Sequence, residues 1–318
     1  MILYNAIRLH RNLEGSKFVT TLNSSEAIEL GNKIAEELPE FKHRRLKELT
    51  TYELLKLKEE FTTSPRLLNN GEFSSYLENE EAKIYLMGED HMVFTSMGRE
   101  NLLDQYKKIC SLDDKVSSKI NYAFDKDFGY LTTDPWIVGT GLQAFVVVSL
   151  PATNYFGIKN ISKSINRMGY MLEPFKVKNT NLKNIFVLKN MVTIGESELT
   201  IINKISNIAK ELVEIEEDNR KKLYLDDIAV LEDMVNRSYG LLRNARILKT
   251  YEMMDNLIIL DLGVSLSIIK KIGNRNLIDE MDSLTNGAIE HDRKQILDDK
   301  SLDIVRANLV RKLMKEEF

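Results

Sequence analysis

The chain has 318 residues, of which 43% are hydrophobic and 29% are charged, and its formal net charge at pH 7 is −4. This composition is ordinary for a globular protein and excludes a disordered or fibrous chain. The small negative charge gives no overall attraction to nucleic acid or to an anionic membrane. No segment approaches the ~20 apolar residues of a membrane span, and no signal-peptide pattern is seen, so the sequence predicts a cytoplasmic protein.

Cysteine and histidine usage argues against a metal centre. Cys110 is the one cysteine, so an internal disulfide and a cysteine-built metal site are excluded, and a buried structural thiol is expected there. The four histidines show no ligand spacing. We therefore expect no bound metal ion.

The first part of the chain alternates between strand-like and helical patterns. The expected elements are an extended apolar strand in residues 1–13, helices in 24–62 interrupted at Pro39, a strand at 82–87 and a helix over 102–122. Within 24–62, the second helical run is predicted from Leu46 to Phe61. The strand at 82–87 leads into an acidic pair, Glu89 and Asp90, which in a strand is more often a solvated edge than a catalytic site.

The centre of the chain, residues 122–151, predicts two buried strands around a glycine loop. Phe128 to Leu131 form the first apolar run and Phe145 to Leu150 the second. Gly139 and Gly141 lie between them and permit close backbone approach. On pattern alone, this arrangement is more often a plain tight turn than an anion cradle.

The rest of the chain is increasingly helical. A helix is expected over 155–170, ending at Gly169, and another beyond Glu198, where apolar residues recur with a period of 3.6. A mixed run of charges from Glu216 to Lys222 is the predicted domain boundary, and helical patterns alone follow it. The predicted domains are 1–217 and 218–318.

The central stretch resembles the signature of ATP:guanidino phosphotransferases, which runs roughly FGYLTxCPTNxGTGxRASVxxxLPAL. Most of the frame is present, but the chemistry differs at several positions. Asp134 replaces the signature cysteine, Trp136 and Ile137 replace the Thr-Asn pair, and Gln143 replaces an arginine that binds phosphate in the family. The matching residues are Phe128-Gly129-Tyr130-Leu131-Thr132, Pro135, Gly139-Thr140-Gly141, Ala144, Val146 and Leu150-Pro151-Ala152.

Two further segments carry the resemblance. The start is similar to the family's SSRIRLARNL, whose first two arginines contact the nucleotide phosphates; here they are Ala6 and Arg8. The family's NEEDHLRI aligns with residues 87–94. The resemblance implies that Glu89 is the vestigial carboxylate that positions the substrate guanidinium, that Asp90 is retained beside it, and that Val93 replaces a phosphate-binding arginine.

A mobile loop of the family, roughly VRGxYGEGSE, corresponds to residues 171–183. Glu173 takes the place of its phosphate-gripping arginine, and Lys178 falls at its second carboxylate. No shift of the alignment restores the glycines, which supply the backbone freedom of a lid. We therefore predict that the lid function is lost.

The C-terminal part is similar to bacterial protein-arginine kinases in particular. Residues 236–248 resemble their YRSYGILxxARIL. Their RDxxRA motif binds phosphoarginine, and here Asp303, Arg306 and Ala307 match while Leu302 replaces the first arginine. Asp303 and Arg306 are thus a candidate phosphoarginine site; a solvated helix face with an ion pair three residues apart is the equally open alternative.

The resemblance implies an α+β fold: an antiparallel sheet flanked by helices, as in phosphagen kinases, followed by an all-helical C-terminal domain. It also implies a loss of activity. Of five phosphate arginines only Arg8 remains, the others being Ala6, Val93, Gln143 and Glu173. Losing one preorganised donor typically costs ~10²–10³ in rate.

We therefore expect a pseudokinase that acts by binding or regulating proteins of the arginine-phosphorylation and protein quality-control system. The expected partner is an active arginine kinase, its adaptor or an arginine-phosphorylated protein, with a homodimer left open and with no nucleic acid or membrane as partner. No cofactor is expected. Two alternatives stay open: a residual arginine kinase that uses ATP and magnesium with Glu89, Arg8, Lys176 and Lys178, and a phosphoarginine-binding adaptor.

Overall fold

An eight-stranded antiparallel sheet forms the centre of the molecule, in a computed structural model that describes residues 1–79, 82–270 and 277–315. The strand order is β2-β3-β4-β5-β1-β8-β10-β9, and a short hairpin, β6-β7, stands apart. The strands are β1 Ile2–Arg11, β2 Lys42–Arg45, β3 Ser75–Glu78, β4 Lys83–Leu86, β5 Met92–Gly98, β6 Phe124–Asp125, β7 Gly129–Tyr130, β8 Leu142–Ser149, β9 Tyr170–Val177 and β10 Thr180–Asn190. The predicted α+β fold with an antiparallel sheet is confirmed.

Helices cover both faces of the sheet. They are α1 Ser24–Glu36, α2 Thr51–Glu59, α3 Pro65–Asn69, α4 Leu102–Ser117, α5 Pro151–Phe156, α6 Lys159–Arg167, α7 Glu198–Asp226, α8 Ile228–Asn244, α9 Thr250–Ser265, α10 Asn286–Arg293 and α11 Asp299–Leu313. Within the ranges that the structure describes, no helix is both long and apolar enough to cross a bilayer.

The two faces of the sheet carry different residues because side chains alternate along each strand. One face, with Ile7 and Leu9 at its centre, packs on α1, α4, α6 and α7 to form the largest apolar core. The opposite face carries Ala6, Arg8, Val93, Gln143 and Glu173, as the strand registers show, and we call it the site face. The five family phosphate positions therefore share one face.

The C-terminal helices pack on one end of the site face. Val147 and Val187 of the sheet join Met253 and Leu257 of α9 in a second apolar core. In the described residues beyond 218, the regular structure is helical, as expected. The predicted boundary near residue 217 lies inside α7, which runs without a break from Glu198 to Asp226, so the division into two domains stays a prediction.

Three local expectations were wrong. The helix predicted from Leu46 begins at Thr51, because residues 42–45 pair as a strand and Thr50 with Glu53 forms the capping box that starts α2. The helix predicted over 155–170 is divided in two at Gly157, whose φ is 108°. The first of the two strands predicted to be buried is only the short β7, and Phe128 beside it is 56% exposed.

The segment expected to align with a mobile loop is a β-hairpin. Residues 170–177 pair with 180–190 as β9 and β10, and Lys178 lies at the turn with a φ of 54°. Strand pairing holds residues 170–177 at the side of β10, and the loss of the lid function stays a prediction. This hairpin forms one edge of the sheet.

Candidate functional site

Arg8 lies on β1, near the middle of the site face, and its charge is neutralised inside the protein. Its terminal nitrogen Nη2 forms an ion pair with the carboxylate of Glu89. Its other terminal nitrogen, Nη1, donates to Oε1 of Gln143 at 3.2 Å. Arg8 is only 9% exposed, and its Nε has no acceptor among the described residues. The one retained cation of the five family positions is therefore engaged with protein groups.

Glu89 reaches Arg8 from the turn between β4 and β5. The side-chain amide of Asn70 donates to the carbonyls of Met87 and Gly88, and the N–H of Met87 donates to the carbonyl of His91. These bonds hold a turn in which Met87 has a φ of 56°. The tight turn directs the carboxylate of Glu89 across β5 toward β1.

Asp90 and His10 form a buried pair beside Arg8. Nδ1 of His10 is 2.8 Å from Oδ2 of Asp90, and its Nε2 is 3.1 Å from Oε1 of Gln143. Both ring nitrogens thus face side-chain oxygens. A hydrogen-bonded chain runs from Asp90 through His10, Gln143 and Arg8 to Glu89.

The environment of Asp90 favours its carboxylate. Burial raises the pKa of Asp90, but the hydrogen bond and charge of His10, with hydrogen bonds from the Thr133 N–H and the Asn12 amide, outweigh it and lower the pKa to about 2. Asp90 is fully buried. Its contacts with His10, Asn12 and Thr133 join the end of β1 to the segment that follows β7.

The remaining phosphate positions offer no cation. Ala6 and Val93 are buried on the site face, and Val93 packs with Tyr76 and Tyr85 in a small apolar cluster. Glu173 lies on the edge strand β9 and pairs with Lys189, whose Nζ is 2.6 Å from its carboxylate. The structure therefore brings Arg8, Glu89, Asp90 and Gln143 together, places Val93 next to His10 in register, and leaves Glu173 at the edge.

Phe61 covers part of the site face. Its ring is 5.3 Å from that of Phe145, edge to face, and 5.7 Å from that of Phe175, stacked. Glu60 beside it accepts hydrogen bonds from Lys83 and Tyr85, and Glu59 accepts one from the N–H of Gly287 on α10. Sequence reasoning missed Phe61, because the end of an amphipathic helix gives no sign of which distant rings it will meet.

The glycine loop approaches protein backbone. Gly141 has a φ of 67°, and a Cβ there would lie 2.5 Å from the carbonyl oxygen of His10. Arg11, which matches the family, is buried: it donates to the carbonyl of Thr140, pairs with Asp113 at 2.8 Å and lies 3.6 Å from the ring centre of Tyr130. Gly141 and Arg11 thus fix the loop against β1.

Arg306 in the C-terminal motif is fully buried. Its Nε donates to the carbonyl of Leu284 at 2.7 Å, and its Nη1 donates to the carbonyl of Leu248 and to Asp303, both at 2.8 Å. Its Nη2 donates to the side chain of Asn286. Burial lowers the pKa of Arg306 and the neighbouring Asp303 opposes that shift. Arg306 thus joins three segments of the C-terminal region. Binding of phosphoarginine by Arg306 stays a prediction, and it would require this side chain to leave its buried position.

Two other candidate groups are also accounted for. Lys178, considered as a substitute cation, pairs with Asp299 of α11 at 3.0 Å. Across the described residues, no group of three or more His, Cys, Asp or Glu side chains is placed to hold a metal ion. A groove of about 680 Å³ lies elsewhere, between α5, α8, α9 and the turn of the β9-β10 hairpin, and contains none of the predicted site residues.

Comparisons with known proteins agree with this architecture. A sequence profile described as "ATP:guanido phosphotransferase, C-terminal catalytic domain" matches residues 24–219, and one described as "Protein-arginine kinase McsB C-terminal domain" matches 229–317. A protein-arginine kinase of Geobacillus sp. (strain WCH70) is 32% identical over 334 residues, covering 100% of this chain and 91% of that protein. One of Bacillus subtilis (strain 168) is 32% identical over 331 residues, with the same coverage.

Solved structures show the same fold at lower identity. A lombricine kinase aligns with a TM-score of 0.59 and 18% identity, over 71% of this chain and 69% of that one. A substrate-free duplicated taurocyamine kinase from Schistosoma mansoni aligns with a TM-score of 0.60 and 19% identity, over 80% of this chain and 40% of that one. At this identity, the likeness speaks to the fold alone.

Proposed function

Because the chain belongs to the ATP:guanido phosphotransferase family and matches protein-arginine kinases along its whole length, we propose that it is a catalytically inactive member that acts by binding other proteins. Phosphoryl transfer asks a protein mainly to position the reactants and to surround the transferring oxygens with positive charge. The proposal therefore depends on how much positive charge the site face has available for phosphate oxygens.

The observation that carries the proposal is the ion pair of Arg8 and Glu89. In the family, the corresponding arginine contacts phosphate and the corresponding glutamate contacts the substrate guanidinium. Here each is the partner of the other, so neither is available without separating a part-buried pair. Separation would leave a desolvated charge on each side, which is strongly unfavourable.

The surroundings support the same conclusion. A nucleotide triphosphate carries ~3–4 negative charges, and it would meet an arginine that is already paired with Glu89, next to the buried Val93. The ring of Phe61 lies over the neighbouring part of the sheet. A bound nucleotide would have to displace these packed groups without gaining the charge contacts that repay desolvation.

The retained fold is consistent with a binding role. The proposed partner is a protein of the arginine-phosphorylation system: an active arginine kinase, its adaptor or an arginine-phosphorylated protein. In this proposal, neither ATP nor magnesium serves as a cofactor. The chain would offer the binding surfaces of the kinase fold and would not compete with an active arginine kinase for substrates.

Nucleotide binding is the direct test. We expect no change in melting temperature with magnesium and ATP at about 1 mM, a concentration that corresponds to a binding free energy of about −4 kcal/mol. A ligand at 100 times its Kd would stabilise the fold by ~2.7 kcal/mol, which a thermal shift resolves easily. A magnesium-dependent shift, or phosphoarginine formed on the chain or on an added protein and detected without acid, would contradict the proposal and favour a residual kinase.

A further inference from the structure

Exposed apolar side chains surround the glycine loop at the end of the sheet where β8 begins and β10 ends. We call them the aromatic surface: Phe124, Phe128, Trp136, Val192 and Ile194, each between 42% and 66% exposed. Contiguous apolar surface of this kind usually marks an interaction site, whereas single exposed apolar residues do not.

Backbone pairing brings the three segments of this surface together. The N–H of Tyr130 donates to the carbonyl of Gly139 at 2.8 Å, and the ring of Phe124 is 5.3 Å from the ring of Tyr130. The hydroxyl of Thr193 donates to the carbonyl of Val138 at 2.8 Å. The β6-β7 hairpin, the turn with Trp136 and the segment after β10 are thus joined at the same place.

Trp136 has little structural reason to be a tryptophan. Its side chain is 66% exposed, while Ile137 beside it is the buried residue of this turn. The contact that orders Trp136 is made by its backbone, whose N–H donates to Oδ1 of Asp134 at 3.1 Å. Any residue could make that bond, so the exposed indole is better explained by a contact with something outside the chain.

The charges around the aromatic surface are mainly negative. Asp125, Asp127 and Asp134 lie beside the exposed rings, and none of them is in an ion pair in the part of the chain that the structure describes. Oδ1 of Asp125 accepts the N–H groups of Asp127 and Phe128, and its second oxygen has no hydrogen-bond donor among the residues that the structure describes. Lys126 is the one cation in residues 124–139.

We propose that the aromatic surface binds a protein segment in which arginine or lysine side chains stand beside large apolar ones. Apolar side chains of such a segment would cover Phe128 and Ile194, its cations would lie over the indole of Trp136, and the same cations would pair with the aspartates. An acidic segment would meet like charge, which disfavours it. This inference rests on the proposed binding role and gives it a surface.

The protein carries its own reporter, because Trp136 is its single tryptophan. The probe is a synthetic amphipathic helix with leucine and phenylalanine on one face and arginine on the other, free of tryptophan. Two matched peptides carry glutamate in place of arginine, or serine in place of the apolar residues. We expect the arginine peptide alone to shift the emission of Trp136 to shorter wavelength and to protect it from acrylamide quenching.

Variants of the full chain locate the contact. The double variant Asp125→Asn with Asp127→Asn keeps the hydrogen-bond acceptors of the turn. We expect it to bind the arginine peptide about threefold to tenfold more weakly, with an affinity that depends less on salt concentration. The Phe128→Ser variant should bind the arginine peptide more weakly by about tenfold or more. Asp292→Asn and Leu225→Ser, exposed residues far along the chain, are the matched controls and should change nothing.

Four outcomes would overturn the inference: unchanged emission with the arginine peptide, equal binding of the glutamate peptide, full binding by the Phe128→Ser variant, or emission that depends on protein concentration alone and so reports a second copy. None of these depends on nucleotide. Failure here with no ATP binding would leave the inactive-kinase proposal standing, and ATP binding with a positive peptide result would remove that proposal alone.

Discussion

The guanidinium of Arg8 and the carboxylate of Glu89 form an ion pair on the site face although the two residues are 81 positions apart in the chain. In the family, these two positions serve different reactants. In this chain the two side chains pair with each other. The pair has become part of the fold.

A double-mutant cycle measures that pair. We expect Arg8→Met and Glu89→Gln each to lower the free energy of unfolding by about 1–3 kcal/mol, because each leaves a part-buried partner unpaired. The loss of unfolding free energy in the double variant should be smaller than the sum of the two single losses by about 0.5–3 kcal/mol. The pair of Arg44 and Glu53, which is 2.8 Å apart but more exposed, is the matched control and should show weaker coupling. Additive losses in the Arg8 cycle would mean that the ion pair does not exist in solution.

Gln143→Arg alone should not restore activity and should destabilise the protein. Oε1 of Gln143 accepts a hydrogen bond from Arg8 and lies 3.1 Å from Nε2 of His10, and an arginine there would replace this acceptor by a positive group beside Arg8. We expect a loss of about 1–3 kcal/mol in urea unfolding. Gln143→Glu keeps the acceptors and is the control that should retain stability. Turnover by the Gln143→Arg variant would contradict our proposal that loss of several phosphate-binding cations makes the site inactive.

Acid stability should depend on Asp90. Its pKa in the folded protein is about 2, below the ordinary value of 3.8, so it stabilises the fold fully above about pH 4, and that contribution is lost as the pH falls toward 2. Asp90→Asn should therefore be less stable than the parent at neutral pH, by something on the order of 2 kcal/mol, and the difference should shrink as the pH falls. Urea unfolding at several pH values measures this. The exposed Asp114→Asn is the control, and a pH-independent difference for Asp90→Asn would contradict the assignment.

Arg306→Ala should destabilise the C-terminal helices. It leaves the carbonyls of Leu248 and Leu284 and the carboxylate of Asp303 without their donor, an expected loss of about 3–5 kcal/mol. The exposed Arg246→Ala should stay within about 0.5 kcal/mol of the parent.

The same region tests phosphoarginine binding. Leu302→Arg, which would rebuild the family motif, places a charge at a position that is 3% exposed, so we expect lower stability and no gain in affinity for a phosphoarginine peptide. Specific binding of that peptide by the parent chain, lost in Arg306→Ala while the fold survives, would show that Arg306 leaves its buried place to read the ligand.

Much of this protein could be predicted from local pattern. The helical C-terminal region follows from periodicity, whereas the antiparallel α+β fold and the residues at the family positions follow from the resemblance of motifs that each span a few residues. The absence of four phosphate arginines is likewise a property of the sequence alone. These features are visible because each is encoded within one short segment.

The tertiary structure decided what the remaining groups do. Glu89 meets Arg8, His10 bridges Asp90 and Gln143, Phe61 stacks on Phe175, and Arg306 lies in the interior rather than on a helix surface. Most of these contacts join residues that are tens of positions apart and that only strand order or helix packing brings together. The burial of Arg306 depends on which other segments cover its helix. Local pattern carries neither kind of information, because the charge state and burial of a side chain are set by neighbours that only the folded sheet supplies.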